Sequence, residues 1–200
     1  MYNKKVNIAL AGFGNIGSYF YKILEKNKKN ISLKTGIIPN IKYILAKNRK
    51  KKRSIKIPRN KFVKSITDLF SKNDIDIVIE LIGGSDGPAK KIVFTALRNN
   101  KHVITANKAL IAKHGNELAF IAENNNVNLE YEAAVAGGVP IIRSIKEGLI
   151  ANKIKKIYGI LNGTTNYILT EMEKTGQTFD KVLKKAQSLG YAEPGNPKLD

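Results

Sequence analysis

The chain has 200 residues, 42% of them hydrophobic, and no cysteine. It can therefore bury the core of one large domain, or of one domain and part of a second, with no disulfide framework and no thiolate metal site. A formal charge of +19, from 35 Lys+Arg against 16 Asp+Glu, favours salt-sensitive polyanion binding. The lysines are spread along most of the chain, however, and the densest run, 47–53, has no interleaved aromatics to stack on bases, so no specific nucleic-acid partner is expected. No apolar run approaches the ~18 residues of a membrane span. The N-terminus runs straight into a strand and lacks a signal peptide's apolar core and cleavage site. A cytoplasmic location with no membrane partner is expected.

Residues 6–11, Val-Asn-Ile-Ala-Leu-Ala, read as a buried strand. A glycine-rich turn follows, then a helix to about residue 28 with Ile16, Tyr19, Phe20, Ile23 and Leu24 on one face. Residues 31–39 read as irregular and 41–46 as a second strand. A basic loop, 47–60, leads to a short strand near Phe62 and a small helix over 67–72, with Thr67 as its cap. The clearest buried strand is 75–82, ending at Gly83-Gly84-Ser85. A helix over 89–98, a strand over 102–105, a helix over 109–123 that starts from Asn107-Lys108, and a strand over 127–131 complete the pattern. This alternation predicts an α/β, Rossmann-type doubly wound parallel sheet. The character changes near 134–140. Pro140 opens a helix over 141–149, residues 153–161 alternate as a strand, and helices follow near 166–173 and 179–189. The domains expected are 1–135 and an incomplete α+β domain over 136–200.

Gly12-Phe13-Gly14-Asn15-Ile16-Gly17 comes directly after the first strand and opens a helix. In that setting G-x-G-x-x-G is a dinucleotide fingerprint. The first glycine allows the tight turn, the second lets a pyrophosphate approach the backbone, and the third lets helix and strand pack closely. The second strand ends in Ala46-Lys47-Asn48-Arg49, with no carboxylate for a ribose 2′-hydroxyl. Cations there suit a 2′-phosphate, which favours NADP, with NAD possible. The strand ends about 30 residues beyond Gly17 rather than the usual ~20, and the segment 31–39 is expected to absorb the difference.

Thr105-Ala-Asn-Lys-Ala109 lies at the carboxyl end of a parallel strand, in the crevice where such sheets bind ligands. Lys108 falls at a helix N-terminus, where a cation is disfavoured unless an anion or polar substrate is close. Glu132 precedes a glycine-containing irregular stretch, where it reads as a cap or hinge, or as one ligand of a hard cation. In Gly159-Ile-Leu-Asn-Gly-Thr-Thr-Asn-Tyr-Ile168, Gly163 can take a positive φ and Thr164 or Thr165 can cap a helix. Gly190 reads as a helix C′ residue. His102 and His114, the only histidines, have no ligand partner at a useful spacing.

Gly-Ile-Leu-Asn-Gly-Thr-Thr-Asn-Tyr-Ile-Leu, with Glu-Ala-Ala-Val-Ala-Gly-Gly-Val-Pro-Ile-Ile upstream and Leu-Gly-Tyr-Ala-Glu-Pro downstream, resembles homoserine dehydrogenase, and the resemblance runs along the whole chain. It implies NADP-dependent interconversion of L-homoserine and L-aspartate 4-semialdehyde in a homodimeric enzyme. It also implies that Gly83, Gly84 and Ser85 line the nicotinamide side and that Lys108 contacts substrate and nicotinamide. A sodium ion would be held by Glu132 and the carbonyls of Val135, Gly137 and Val139. Glu193 would bind the substrate ammonium, with Gly163, Thr164, Gly190 and Tyr191 nearby and Asp200 further along.

The family's catalytic lysine, and an aspartate four residues before it, would fall a few residues past Asp200. The resemblance therefore implies a chain cut short, with apolar faces at Leu161, Ile168, Leu169, Val182 and Leu183 left short of partners. Two alternatives stand beside it: Lys108 as the acid/base, or a non-catalytic nucleotide-binding remnant or basic polyanion-binding module.

Overall fold

Strands of the first half read as near-continuous apolar runs, as strands covered on both faces must. The computed structural model, which describes residues 4–48, 55–159 and 163–192, arranges them as expected. β1 (Lys4–Ala11), β2 (Ile37–Leu45), β3 (Phe62–Val63), β4 (Ile77–Glu80), β5 (His102–Thr105) and β6 (Leu129–Glu130) form one sheet in the order β3-β2-β1-β4-β5-β6. All five pairings are parallel. The order reverses between β1 and β4, which is the switch point where the carboxyl ends of strands open a crevice.

Helices cover both faces. On one, Ile8, Leu10, Ile41, Ile44 and Ile79 pack under α1 (Asn15–Thr35), which contributes Tyr21. On the other, Ala9, Ala11, Val78 and Val103 pack against α2 (Ile66–Phe70), α3 (Pro88–Arg98) and α4 (Lys108–Asn124). Ile41 and Ile44 share a face despite their odd spacing. The register shifts between Ile8, opposite Ile41, and Ala9, opposite Tyr43; the extra residue, Lys42, is a bulge that turns the rest of β2 over.

Several local expectations are corrected. The segment 31–39 is not irregular: α1 runs to Thr35, Gly36 ends it at φ 69° with its N–H on the Ser32 carbonyl, and β2 starts at Ile37. The wide spacing after Gly17 is thus absorbed by a longer helix and a longer strand. Pro39 fits because β3 pairs only with Ile44 and Leu45, so no ladder needs a donor on that side of Pro39. The cap of α2 is Ser65, whose Oγ accepts the Asp68 N–H at 3.0 Å, rather than Thr67. Ile16 and Tyr19 are 66% and 67% exposed, because Gly17 and Tyr21 take the inward side of α1.

The chain separates into two compact units, Met1–Ile142 and Arg143–Asp200. The helix expected over 141–149 is one α turn, α5 (Ile141–Arg143), followed by a π-helical segment, Ser144–Gly148. In the second unit α6 (Gly163–Thr175) and α7 (Phe179–Leu189) pair around Ile168, Val182, Ala186 and Ala192. Ile168 and Val182 are therefore buried, not short of partners, and Leu183 is partly buried against them; Leu169 is exposed, and Leu161 lies outside the described residues. The strand expected over 153–161 is absent from its described part, 153–159, which is exposed and neither helical nor paired. An alternating pattern becomes a strand only with a ladder partner, and the described residues of this unit supply none.

Candidate nucleotide-binding site

The turn from β1 into α1 has no room for side chains at two of its three glycines. Gly12 sits at φ +100°, and a Cβ there would lie 2.5 Å from the Leu81 carbonyl oxygen. A Cβ on Gly17 would lie 2.3 Å from the Gly12 carbonyl oxygen. Gly14 differs: nothing lies within 4 Å of the Cβ it lacks, so its backbone faces open space. The helix that starts there has no acidic residue in its first turn and no side-chain cap at Gly14. Its leading N–H groups are thus left to an external anion.

In front of this turn is a cleft of about 760 Å³, a size suited to a dinucleotide. It is lined by Gly12, Phe13 and Gly14, by Leu45 to Asn48 after β2, by Lys64 to Ile66 after β3, and by Leu81, Ile82 and Pro88. Phe13 contributes backbone, since its ring is buried edge-on to Tyr21 and Phe62, each 6.0 Å away. Asn15 and Ile16 are exposed on the first turn of α1 and outside the cleft lining.

Lys47 lines the cleft, and Lys64 joins it from the end of β3. Lys64 and Ser65 were not singled out from sequence. The available signal was their position after a short strand, but only the β2–β3 pairing brings them beside Lys47. Arg49 and residues 50–53 lie outside the described residues. The Asp68 carboxylate, which accepts the Lys64 N–H at 2.7 Å, is held below the usual carboxylate range by that backbone bond and then by Lys72.

Beyond Ile82 the loop continues through Gly83 and Gly84, at φ 86° and 83°. This double left-handed turn suits glycine alone. Ser85 donates its hydroxyl to Asp86 at 2.8 Å, and Asp86 also pairs with Lys113 at 2.8 Å. Lys113 and then Ser85 lower the Asp86 pKa to about 2. Lys108 is the exposed first residue of α4. Its neighbour Asn107 caps the helix by accepting the Leu110 N–H at 3.0 Å and donates its amide to the Gly84 carbonyl at 2.8 Å. Glu80, at the end of β4, is 0% exposed and was not singled out from sequence. A carboxylate inside an apolar run, just before Gly-Gly, was the signal, since an unsatisfied buried charge is too costly to keep.

Glu132 accepts the Ile142 N–H at 3.0 Å. Ala136 and Gly137 take φ 51° and 53°, and the Val139 carbonyl accepts the Ile141 N–H at 2.8 Å. A carboxylate and peptide carbonyls are the hard oxygen donors that suit a cation such as sodium. Val135 connects the two turns in an extended conformation.

In the second unit Gly163 is the first residue of α6 and does not take a positive φ. Thr164 donates its hydroxyl to the Tyr191 carbonyl at 2.5 Å. This ties the start of α6 to the turn after α7, where Gly190 ends the helix at φ 78° as expected. Tyr167 and Tyr191 have ring centroids 4.9 Å apart. Glu193 and Asp200 lie outside the described residues. His102 accepts the Asn128 N–H on Nδ1 at 3.0 Å, a structural role.

Two family models match: "Homoserine dehydrogenase, NAD binding domain" over residues 12–132 and "Homoserine dehydrogenase" over 140–200. The chain is 47% identical over 197 residues to the homoserine dehydrogenase of Neisseria gonorrhoeae, covering 98% of this chain and 45% of that one. It is 42% identical over 190 residues to that of Bacillus subtilis, covering 95% and 44%. Among solved structures it resembles a homoserine dehydrogenase from Thiobacillus denitrificans, with a TM-score of 0.84 at 40% identity over 98% of this chain and 45% of that one. It also resembles a hyperthermophilic archaeal homoserine dehydrogenase in complex with NADPH, with a TM-score of 0.79 at 26% identity over 98% and 64%. The chain spans about 45% of the length of the curated relatives it matches. By sequence, fold and glycine turn together, the chain belongs to the homoserine dehydrogenase family.

Proposed function

We propose that the chain carries the cofactor site and part of the substrate site of an NADP-dependent homoserine dehydrogenase, which interconverts L-homoserine and L-aspartate 4-semialdehyde. The observation that carries this reading is the open Gly14 turn at an acid-free helix N-terminus, with Lys47 and Lys64 lining the same cleft. When bound, the nicotinamide supplies or accepts the hydride. The N–H groups at the start of α1 hold the pyrophosphate. Lys47 and Lys64 pair with the 2′-phosphate, which supports NADP over NAD. Gly83, Gly84 and Ser85 border the nicotinamide, and Lys108 polarises the reacting oxygen of the substrate. In the second unit Gly163, Thr164, Gly190, Tyr191, Glu193 and Asp200 recognise the amino acid. Glu132 with the carbonyls of Val135, Gly137 and Val139 holds sodium and so fixes the backbone after β6. The same reading takes the full-length protein as a cytoplasmic homodimer.

The test is titration of the purified chain with NADPH and NADH, followed by an assay of L-homoserine oxidation. NADPH binding tighter than NADH binding is expected. Turnover would place the acid/base within these residues, with Lys108 the first to substitute; binding without turnover would place it outside them. A folded chain that binds neither nucleotide overturns the reading. Retention on nucleic acid, lost with salt, would then favour the basic polyanion module.

A further inference from the structure

Glu80 and Thr105 stand opposite each other on β4 and β5, and both are fully buried. Glu80 accepts the Ile82 and Gly83 N–H groups on Oε1, at 2.6 and 3.0 Å, and the Thr105 hydroxyl on Oε2 at 2.6 Å. The Thr105 oxygen in turn accepts the Asn107 N–H at 3.0 Å. Asn107 then closes the circuit by donating its side-chain amide to the Gly84 carbonyl at 2.8 Å. The circuit joins two loops that share no sequence: the turn of Gly83 and Gly84, and the cap of the helix that begins with Lys108.

The direction of every bond in this ring is set by chemistry. Both oxygens of Glu80 face donors, so residue 80 must accept at both ends. An amide cannot do that. With its nitrogen toward Ile82 and Gly83 it would meet two N–H groups. Turned the other way, it would force a second donor onto the Thr105 oxygen and leave the hydroxyl proton without an acceptor. Only a carboxylate of this length satisfies the ring, and charge-assisted bonds of this kind are the strong ones.

We propose that Glu80 is a positioning residue for the nicotinamide end of the cofactor: its acceptor-only carboxylate sets the Gly83–Gly84 turn and, through Thr105 and Asn107, the start of the helix bearing Lys108. The inference rests on the NADP-binding reading above. It separates the two ends of the ligand, because the 2′-phosphate and pyrophosphate are held by Lys47, Lys64 and the Gly14 turn, none of which belongs to the ring.

The experiment compares binding of NADPH and of 2′-phospho-ADP-ribose, which lacks the nicotinamide, to the 200-residue chain and its variants. Glu80→Gln is expected to weaken NADPH about tenfold or more, the cost of leaving a buried donor unmet. It should leave the fragment within about twofold, since no group on the phosphate side changes. Thr105→Val keeps the volume, cuts the same ring and is expected to act likewise; Thr105→Ser, which keeps the hydroxyl, is expected to bind as the parent chain does. These two variants also decide the matter if Glu80→Gln does not fold. Equal weakening of both ligands, or of neither, overturns the proposal. So does a parent chain that binds NADPH no tighter than the fragment. A parent chain that binds neither ligand overturns the NADP reading itself.

Discussion

A Cβ at Gly17 would lie 2.3 Å from the carbonyl oxygen of Gly12, closer than any non-bonded carbon and oxygen approach. The obstacle is backbone, so no side-chain rotation relieves it. Gly17→Ala is expected to cost about 1–3 kcal/mol, as overpacking does, measured by urea denaturation. Gly14→Ala is the contrast. Its Cβ enters open space, so stability should change by less than about 0.5 kcal/mol, while NADPH affinity falls because the methyl occupies the approach of the pyrophosphate. A Gly14→Ala chain that binds normally would remove this turn from the site.

Lys47 and Lys64 line one cleft from the ends of neighbouring strands. Lys47→Glu and Lys64→Glu are each expected to lower NADPH affinity about tenfold or more, as loss of a charge-assisted bond does. NADH affinity should change little. Fluorescence titration with both nucleotides checks this. Parallel losses for the two would mean that the lysines act only through overall charge.

Asp86 titrates at about 2, held down first by Lys113 and then by Ser85. A carboxyl whose folded pKa lies below its unfolded value of about 3.9 stabilises the fold above that unfolded value, and this contribution is lost as pH falls toward 2. The stability difference between the parent chain and Asp86→Asn is therefore expected to shrink between about pH 4 and 2. Denaturation midpoints across that range test it; a difference that grows on acidification would contradict the assignment.

Val182 is 1% exposed in the cluster between α6 and α7, whereas Leu169 on α6 is 60% exposed. Val182→Ala removes two buried methyl groups and is expected to cost about 1–2 kcal/mol. Leu169→Ala should change stability by less than about 0.5 kcal/mol. Thermal melts of the two variants check the pair, and a larger loss at Leu169 would show that its exposed face is covered in solution.

What could be read from the sequence was what depends on near neighbours. The Gly12–Gly17 turn was legible because its steric demands fall within six residues of a strand end. The sheet was legible because buried parallel strands leave unbroken apolar runs. The C′ role of Gly190 follows from the left-handed turn that only glycine takes without cost. What stayed hidden depends on partners far along the chain. Lys64 becomes a site residue only when β3 docks beside β2. Glu80 looks like one polar letter in an apolar strand until Thr105 arrives from 25 residues away. The apolar count on α1 favours Ile16 and Tyr19 as its inward face, but the close approach at Gly17 decides which side meets the sheet. At 153–159 the alternating pattern was present and its ladder was not.

The ring around Glu80 also has a consequence in time. The Ile82 and Gly83 amides find their acceptor in a side chain on β4, and that side chain is held by a hydroxyl on β5. The loop cannot take its shape before the two strands pair, and cannot lose it while they remain paired. Its amides should exchange with solvent as slowly as those of the strands themselves, although Gly83 and Gly84 lie at the surface. Such a loop is not a lid that opens on its own. It belongs to the same cooperative unit as the sheet, and a nucleotide bound as proposed would meet a mouth already set when the fold is complete.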